Sequence, residues 1–349
     1  MAQNSPGVLR RYGLENTRKY DSLRSNREEN MAETVRVAVI QDCPAPFDLA
    51  ATIDKTEQLT AKAAATGARL IVFPEAFVSG YPKGLDFGAR VGMRSAEGRD
   101  MFRRYFDSSI ELDSDECRRL GGAARKAQAH LVIGVMEKDG GTLYCTVLFF
   151  APNGALMGKH RKLMPTAMER LIWGFGDGST LPVFDTPVGK LGAVICWENY
   201  MPLLRTAMYA KGVQIYCAPT ADDRDTWVST MQHVALEGRC FVLSACQYLT
   251  RGDCPDGYDA IQGTDPKTVL MRGGSCIVSP LGQLIVKPDF SGPAILTADL
   301  DLGDIARGKY DFDVTGHYAR PDVFRLHVNE RAMTPVSNSV GAPADPFAE

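Results

Sequence analysis

Nothing in this 349-residue chain approaches the ~18 consecutive apolar residues that cross a bilayer. Its longest apolar run, Val147-Leu148-Phe149-Phe150-Ala151, suits a buried strand. No charge of one sign dominates: Lys+Arg number 39 against Asp+Glu 42, a net charge of -3, which excludes the basic footprint of a nucleic-acid or membrane-surface binder. The nine cysteines include no CxxC pair, and the closest approach considered, Cys240 to Cys246, is too wide for a zinc knuckle. His130, His160, His233, His317 and His327 form no HxH or HxxxH pair, so no metal is expected. An odd cysteine count at this density reads as reduced thiols in a reducing compartment. With no hydrophobic core near the N-terminus to act as a secretory signal, the expectation is a cytoplasmic protein.

What is present is ordinary globular composition, 45% hydrophobic and 23% charged. Residues 1–32 are basic and polar, but Glu15, Asp21, Glu28 and Glu29 argue against an acid-poor transit peptide, so a mobile extension is expected there. The composition after about Met333 is rich in Pro, Ser, Ala and Asn, and residues 329–349 read as a mobile tail. The segment 33–328 reads as one domain, without internal repeat or low-complexity linker.

Within it, Val35–Ile40 predicts a strand, Asp48–Ala65 a helix capped by Asp48 and ended by Gly67, and Leu70–Phe73 a second strand. A helix over 113–129 and the strand Leu131–Val135 continue this βαβ pattern. A β-rich stretch follows at 143–151, 156–160, 183–185 and 191–195. Further strands are expected at 214–217, 241–244, 275–279, 284–286 and 294–298, with helices at 202–210 and 227–237. The sum is one α/β domain with mixed sheets.

In such sheets active sites gather beyond the carboxyl ends of strands. Cys43, Cys196, Cys217 and Cys246 all follow buried strands, and the ordinary fate of each is a small buried hydrophobe. Position alone does not choose among them. Glu75 also follows a strand, where a carboxylate must be paired or solvated. Lys162 follows the run Lys159-His160-Arg161, which by itself reads as a solvated face. A thiol, a carboxylate and an ammonium together would make a nucleophile, a proton shuttle and a charge stabiliser without metal or cofactor.

Three segments carry a resemblance to the nitrilase branch of the carbon–nitrogen hydrolases. They are Phe73-Pro74-Glu75-Ala76-Phe77 with Gly80-Tyr81-Pro82, His160-Arg161-Lys162-Leu163-Met164-Pro165-Thr166, and Ile195-Cys196-Trp197-Glu198-Asn199. Glu169-Arg170, followed by Trp173-Gly174-Phe175-Gly176-Asp177-Gly178, and the run Asp299–Ala306 also resemble that branch. The resemblance is nearest to plant-type and bacterial β-cyanoalanine nitrilases, and it spans about Val35 to Phe324. It implies a single-domain, four-layer α-β-β-α sandwich. It implies Cys196 as nucleophile, Glu75 as general base, Lys162 as the charge-stabilising cation and Glu169 as a second acid. It implies a small nitrile substrate and self-association into dimers and larger spiral oligomers. Trp173, Trp197, Asn199 and Tyr200 are the pocket candidates, along with the loop 76–90. Rival readings on the same scaffold are an amidase or N-carbamoyl hydrolase, a cyanide-degrading enzyme, and a non-catalytic filament-forming protein.

Overall fold

In the computed structural model, which describes residues 34–334 and 336, two six-stranded sheets are built to one plan. Strand β1 (Thr34–Gln41) runs parallel to β2 (Leu70–Val72), and β2 parallel to β3 (His130–Asp139). Strands β4 (Thr142–Phe150) and β5 (Leu156–Arg161) continue antiparallel. In the second sheet β7 (Leu191–Ala193), β8 (Ile215–Thr220) and β9 (Phe241–Cys246) are the parallel centre. That centre is flanked by β6 (Val183–Phe184) on one side and by β10 (Cys276–Val278) and β11 (Leu284–Val286) on the other. The last strand, β12 (Ala294–Asp301), returns to pair antiparallel with β1.

Strand periodicity decides which residues fill which layer. Along β1, Val37 and Val39 face the second sheet, while Ala38 and Ile40 face helices α1 (Leu49–Ala64) and, beyond Ala96–Asp107 (α2), α3 (Asp115–Ala127). Between the sheets, Val72 and Phe149 meet Ile195, Leu243 and Ile277. On the far face, α4 (Pro202–Ala210) and α5 (Thr226–Gly238) lay Leu204, Met208, Trp227 and Met231 over Val194, Tyr216 and Val242. Strands covered on both faces read as unbroken apolar runs, which is why they were visible in the sequence. The result is the expected four-layer α-β-β-α sandwich.

The Asp48 carboxylate accepts the Ala51 amide at 2.9 Å and caps α1 as anticipated. Two helices were not anticipated, α2 and α6 (Gly303–Asp311). In α2 only Gly98 and Tyr105 are fully buried, and its short inward stripe of Met101, Phe102, Tyr105 and Phe106 is confined to the second half of a helix that is otherwise charged. Among the described residues no helix is long and apolar enough to cross a membrane. The expected N-terminal extension lies outside the described residues. Of the expected tail, Glu330 pairs with Lys211 at 2.6 Å, and the Met333 amide donates to Asp177 at 2.7 Å.

Candidate active site

Glu75, Lys162 and Cys196, drawn from three separate strand ends, converge between the two sheets. Glu75 sits in the turn after β2, where Ala76 takes a left-handed φ of 47°. Its carbonyl accepts from the Gln247 amide at 2.8 Å. Beneath this turn runs Gly134 of β3, and a Cβ there would meet Pro74 O at 2.3 Å and the Ala76 amide at 2.7 Å. Any side chain at 134 must therefore push the Glu75 turn away. Gly134→Ala is expected to lower kcat about 10–100-fold with a folded protein, measured by steady-state kinetics beside circular dichroism.

Lys162, fully buried, follows β5, and its amide donates to the Cys145 carbonyl at 2.8 Å. Its Nζ donates to Glu75 Oε1 at 2.6 Å and to Glu169 Oε2 at 2.7 Å. Glu169 lies in the short helical turn Ala167–Leu171. It accepts the Thr166 amide at 2.6 Å, as a helix-start acid does, and the Tyr81 hydroxyl at 2.7 Å. One carboxylate thus both caps a turn and pins the lysine.

Cys196 begins the turn Cys196–Tyr200 at a left-handed φ of 49°, a conformation disfavoured for a residue with a side chain. That elbow ends the ladder of β7 at Ala193, two residues earlier than the sequence suggests, and turns the thiol toward the lysine and Glu75. The Thr220 hydroxyl lies 3.1 Å from Sγ. Asn199 holds the elbow, donating to Cys196 O at 2.8 Å and to Val194 O at 3.1 Å. The Trp197 amide, in the first turn, belongs to the donors that such a turn leaves without an intrahelical partner.

Charge in this buried cluster is set by desolvation and by neighbours. Burial raises the Glu75 pKa, Lys162 opposes the rise, and Glu169 adds to it. Burial would lower that of Lys162, but Glu75, Cys196 and Glu169 hold it well above the usual ammonium range. Burial and then Glu75 push the Cys196 thiol up, so at rest the sulfur keeps its proton. The Glu75 oxygens are not equivalent. Oε1 is occupied by Lys162 and by the Cys145 thiol at 3.5 Å, whereas Oε2 is buried with no hydrogen-bond partner. A buried acceptor left open in the same cluster as a protonated thiol is what a general base needs.

A second buried pair ties the Lys162 strand to the Cys196 elbow. The Glu198 carboxylate accepts the Ile195 amide at 2.9 Å and the Leu163 amide at 2.6 Å, and it meets His160 Nε2 at 2.9 Å. His160 Nδ1 faces the Thr180 carbonyl at 2.7 Å. Both ring nitrogens face acceptors, an arrangement that favours the doubly protonated ring. Burial lowers the pKa of His160, but Glu198 more than offsets this and raises it. A raised histidine pKa stabilises the fold fully below the unfolded value of about 6.5, and that contribution is lost as pH rises through the folded value. An imidazolium signal from His160 at pH 7, with stability falling above that pH, is the expected outcome of nitrogen-15 NMR and pH-dependent melting.

Cys196 lines a cavity of about 190 Å3 with Tyr81, Lys83, Thr166, Glu169, Trp197, Ala221 and Asp222–Arg224. Of the sequence-nominated pocket residues, Trp197 lines this cavity. Trp173 is buried behind it, edge-on to Tyr81 and 5.4 Å from Lys162 Nζ. Asn199 spends its amide on the elbow, and Tyr200 packs between Trp197 and Trp227. Sequence reading gave no role to Tyr81, Cys145, His160, Glu198 or Thr220. His160 and Glu198 were within the quoted motifs, but only the fold brings them together. The nine cysteines are free, and among the described residues no cluster of three or more His, Cys, Asp or Glu could hold a metal.

The model of the carbon–nitrogen hydrolase family matches residues 36–310. A nitrilase from Bradyrhizobium diazoefficiens is 58% identical over 310 residues, covering 89% of this chain and 97% of that one. A bifunctional nitrilase/nitrile hydratase from Nicotiana tabacum is 55% identical over 314 residues, covering 89% and 90%. Among solved structures, an amidase from Nesterenkonia sp. AN1 shares the fold, with TM-score 0.59 at 22% identity, covering 78% and 92%. That structure shows covalent addition of the acetamide moiety of fluoroacetamide at the amidase's active site cysteine.

Proposed function

Because this chain belongs to the carbon–nitrogen hydrolase family, in its nitrilase branch, we propose that it hydrolyses an organic nitrile to a carboxylic acid and ammonia. The observation that carries the reading is the one buried cluster of Glu75, Lys162 and Cys196, with Glu75 Oε2 unpartnered and Lys162 clamped between two carboxylates.

Glu75 Oε2 takes the Cys196 proton, and the thiolate attacks the nitrile carbon. The electron pair displaced from the triple bond collects on nitrogen, where Lys162 stabilises it and a proton from the Glu75 acid completes a thioimidate. Glu169 and Tyr81 hold the lysine in place. Water, deprotonated by Glu75, adds to the thioimidate carbon. The tetrahedral intermediate expels ammonia and leaves a thioester. A second water releases the acid and restores the thiol. Expulsion of the thiolate before ammonia would release the amide instead. The two exits differ by tenfold for each ~1.4 kcal/mol, so a modest change of charge near nitrogen moves the product ratio. For β-cyanoalanine the acid is aspartate and the amide asparagine.

Ammonia release from β-cyanoalanine, phenylacetonitrile, an aliphatic dinitrile, cyanide and a simple amide tests the reading, with acid and amide products separated. Nitrile turnover supports it. Turnover of the amide alone would make the chain an amidase or N-carbamoyl hydrolase, and turnover of cyanide alone a cyanide-degrading enzyme. A folded chain inert to all five would favour the filament-forming reading.

Self-association into dimers and spiral oligomers, and a cytoplasmic setting, belong to the same proposal. Exposed apolar side chains such as Val91, Ile261, Leu203 and Tyr310 support the first, and nine unpaired thiols support the second. Light scattering with negative-stain microscopy reads the assembly.

A further inference from the structure

One charged pair beside the Cys196 elbow has no part in the chemistry above. Arg205, buried on α4, reaches back along the chain and donates from Nη1 to the Asn199 carbonyl at 2.8 Å. Its Nε donates to Glu237 Oε2 of α5 at 2.7 Å, and its Nη2 to Oε1 at 3.3 Å. The Tyr209 hydroxyl donates to the same Glu237 Oε2 at 2.9 Å. Burial would raise the Glu237 pKa, but the Arg205 fork holds it below the usual carboxylate range, so the pair is ionic. Buried ion pairs add little net stability, because desolvation offsets their attraction. What this one fixes is a position. The planar guanidinium is locked on one side by the Glu237 carboxylate and presents a further N–H to the backbone of the nucleophile's turn. Asn199 in turn donates from Nδ2 to Cys196 O at 2.8 Å and to Val194 O at 3.1 Å. Hydrogen bonds thus lead from α5 to the residue whose left-handed φ of 49° persists only if its surroundings hold it. Glu198 grips the other end of the turn through the Ile195 amide at 2.9 Å.

We propose that Arg205, oriented by Glu237, is a positioning residue for the nucleophile: it holds the Asn199 carbonyl, and through Asn199 keeps the Cys196 thiol aimed at the carbon it attacks. The proposal rests on the covalent role given to Cys196 above. Arg205 acts through Asn199 and not on the substrate, so its loss falls on kcat rather than on KM. A nucleophile displaced by about 1 Å loses on the order of 100-fold in rate. Lysine keeps the charge, but one ammonium on a flexible stem cannot serve the Glu237 carboxylate and the Asn199 carbonyl in the same fixed plane.

Steady-state kinetics and melting of Arg205→Lys and Arg205→Met test this, read on whichever nitrile or amide of the panel above the wild type turns over. Arg205→Met is expected to lower kcat roughly 100-fold and Arg205→Lys roughly tenfold, with KM within about threefold of wild type. Val234→Ala is the stability control. It hollows the packing of α5 one turn before Glu237, at a fully buried side chain that makes no contact with the elbow by hydrogen bond. It is expected to lower the melting temperature while kcat stays within about twofold of wild type. Should Arg205→Met fail to fold, Arg205→Lys decides. A kcat for Arg205→Lys within about twofold of wild type would overturn the proposal, as would a kcat loss that Val234→Ala reproduces, since helix loosening would then explain both. Turnover of the amide alone overturns the nitrile reading and leaves the Arg205 result to stand by itself. A folded wild type inert to the whole panel overturns both.

Discussion

Cys196→Ala is expected to abolish nitrile hydrolysis, with a loss on the order of 10^6-fold in kcat, while the chain stays folded. Alanine keeps the Cβ and tolerates the elbow no worse than cysteine does, and Asn199 still holds the loop through Val194 O and the carbonyl of residue 196. The hydrogen bond given up among the described residues is that of the Thr220 hydroxyl, which still accepts the Asp222 amide, so the stability change is about 1 kcal/mol. No other cysteine substitutes for the lost thiol. Cys145 touches Glu75 but lies on the Lys162 side of the carboxylate, and Cys217 and Cys246 are sealed in the core, their thiols raised by burial. Loss of activity with an unchanged melting temperature is the pattern to look for by calorimetry and ammonia assay.

Lys162→Met is expected to cost both activity and stability. The methionine fills the space but leaves Glu75 and Glu169 buried without their cation. Breaking a buried pair from one side costs about 3–5 kcal/mol, because the remaining charge is uncompensated. The fold can lessen that cost by protonating Glu75, whose pKa is already raised by burial. The folded variant then binds more protons than the unfolded one, so its stability falls as pH rises from the unfolded carboxylate value of about 4.3 through the raised folded one. Turnover falls at least ~10^3-fold at every pH, since nothing else stabilises charge at nitrogen from that side. Melting at several pH values beside kinetics separates the two effects.

How much of this was legible in the sequence follows from where the information lies. Glu75 and Cys196 sit one or two residues beyond an apolar run, and such strand ends are visible as composition, whereas Lys162 follows a polar strand and was legible only through its motif. Asp48 announced its helix because a cap and an apolar stripe are both local. Arg161 and Lys159 were read as a solvated face, yet both are bound to the buried Glu137 carboxylate, at 2.5 Å from its Oε1. His160 between them is fully buried. Strand alternation puts that histidine on the inner face, but its partner Glu198 is 38 residues away in sequence, in the turn after a strand of the other sheet. The cavity pair Lys83–Asp223 is likewise invisible until the fold brings two loops together. Helix α2 escaped because its inward stripe, Met101, Phe102, Tyr105 and Phe106, is short and set among charged residues.

The central claim is that turnover passes through a covalent bond to Cys196 Sγ, formed after Glu75 takes its proton. Acid-quenched mass spectrometry of the working enzyme, with peptide mapping, tests it most directly. The account predicts a substrate-derived adduct on the peptide containing Cys196, with the other eight cysteines unmodified and no adduct on Cys196→Ala. Steady turnover by Cys196→Ala, or an adduct carried by a different residue, would contradict it.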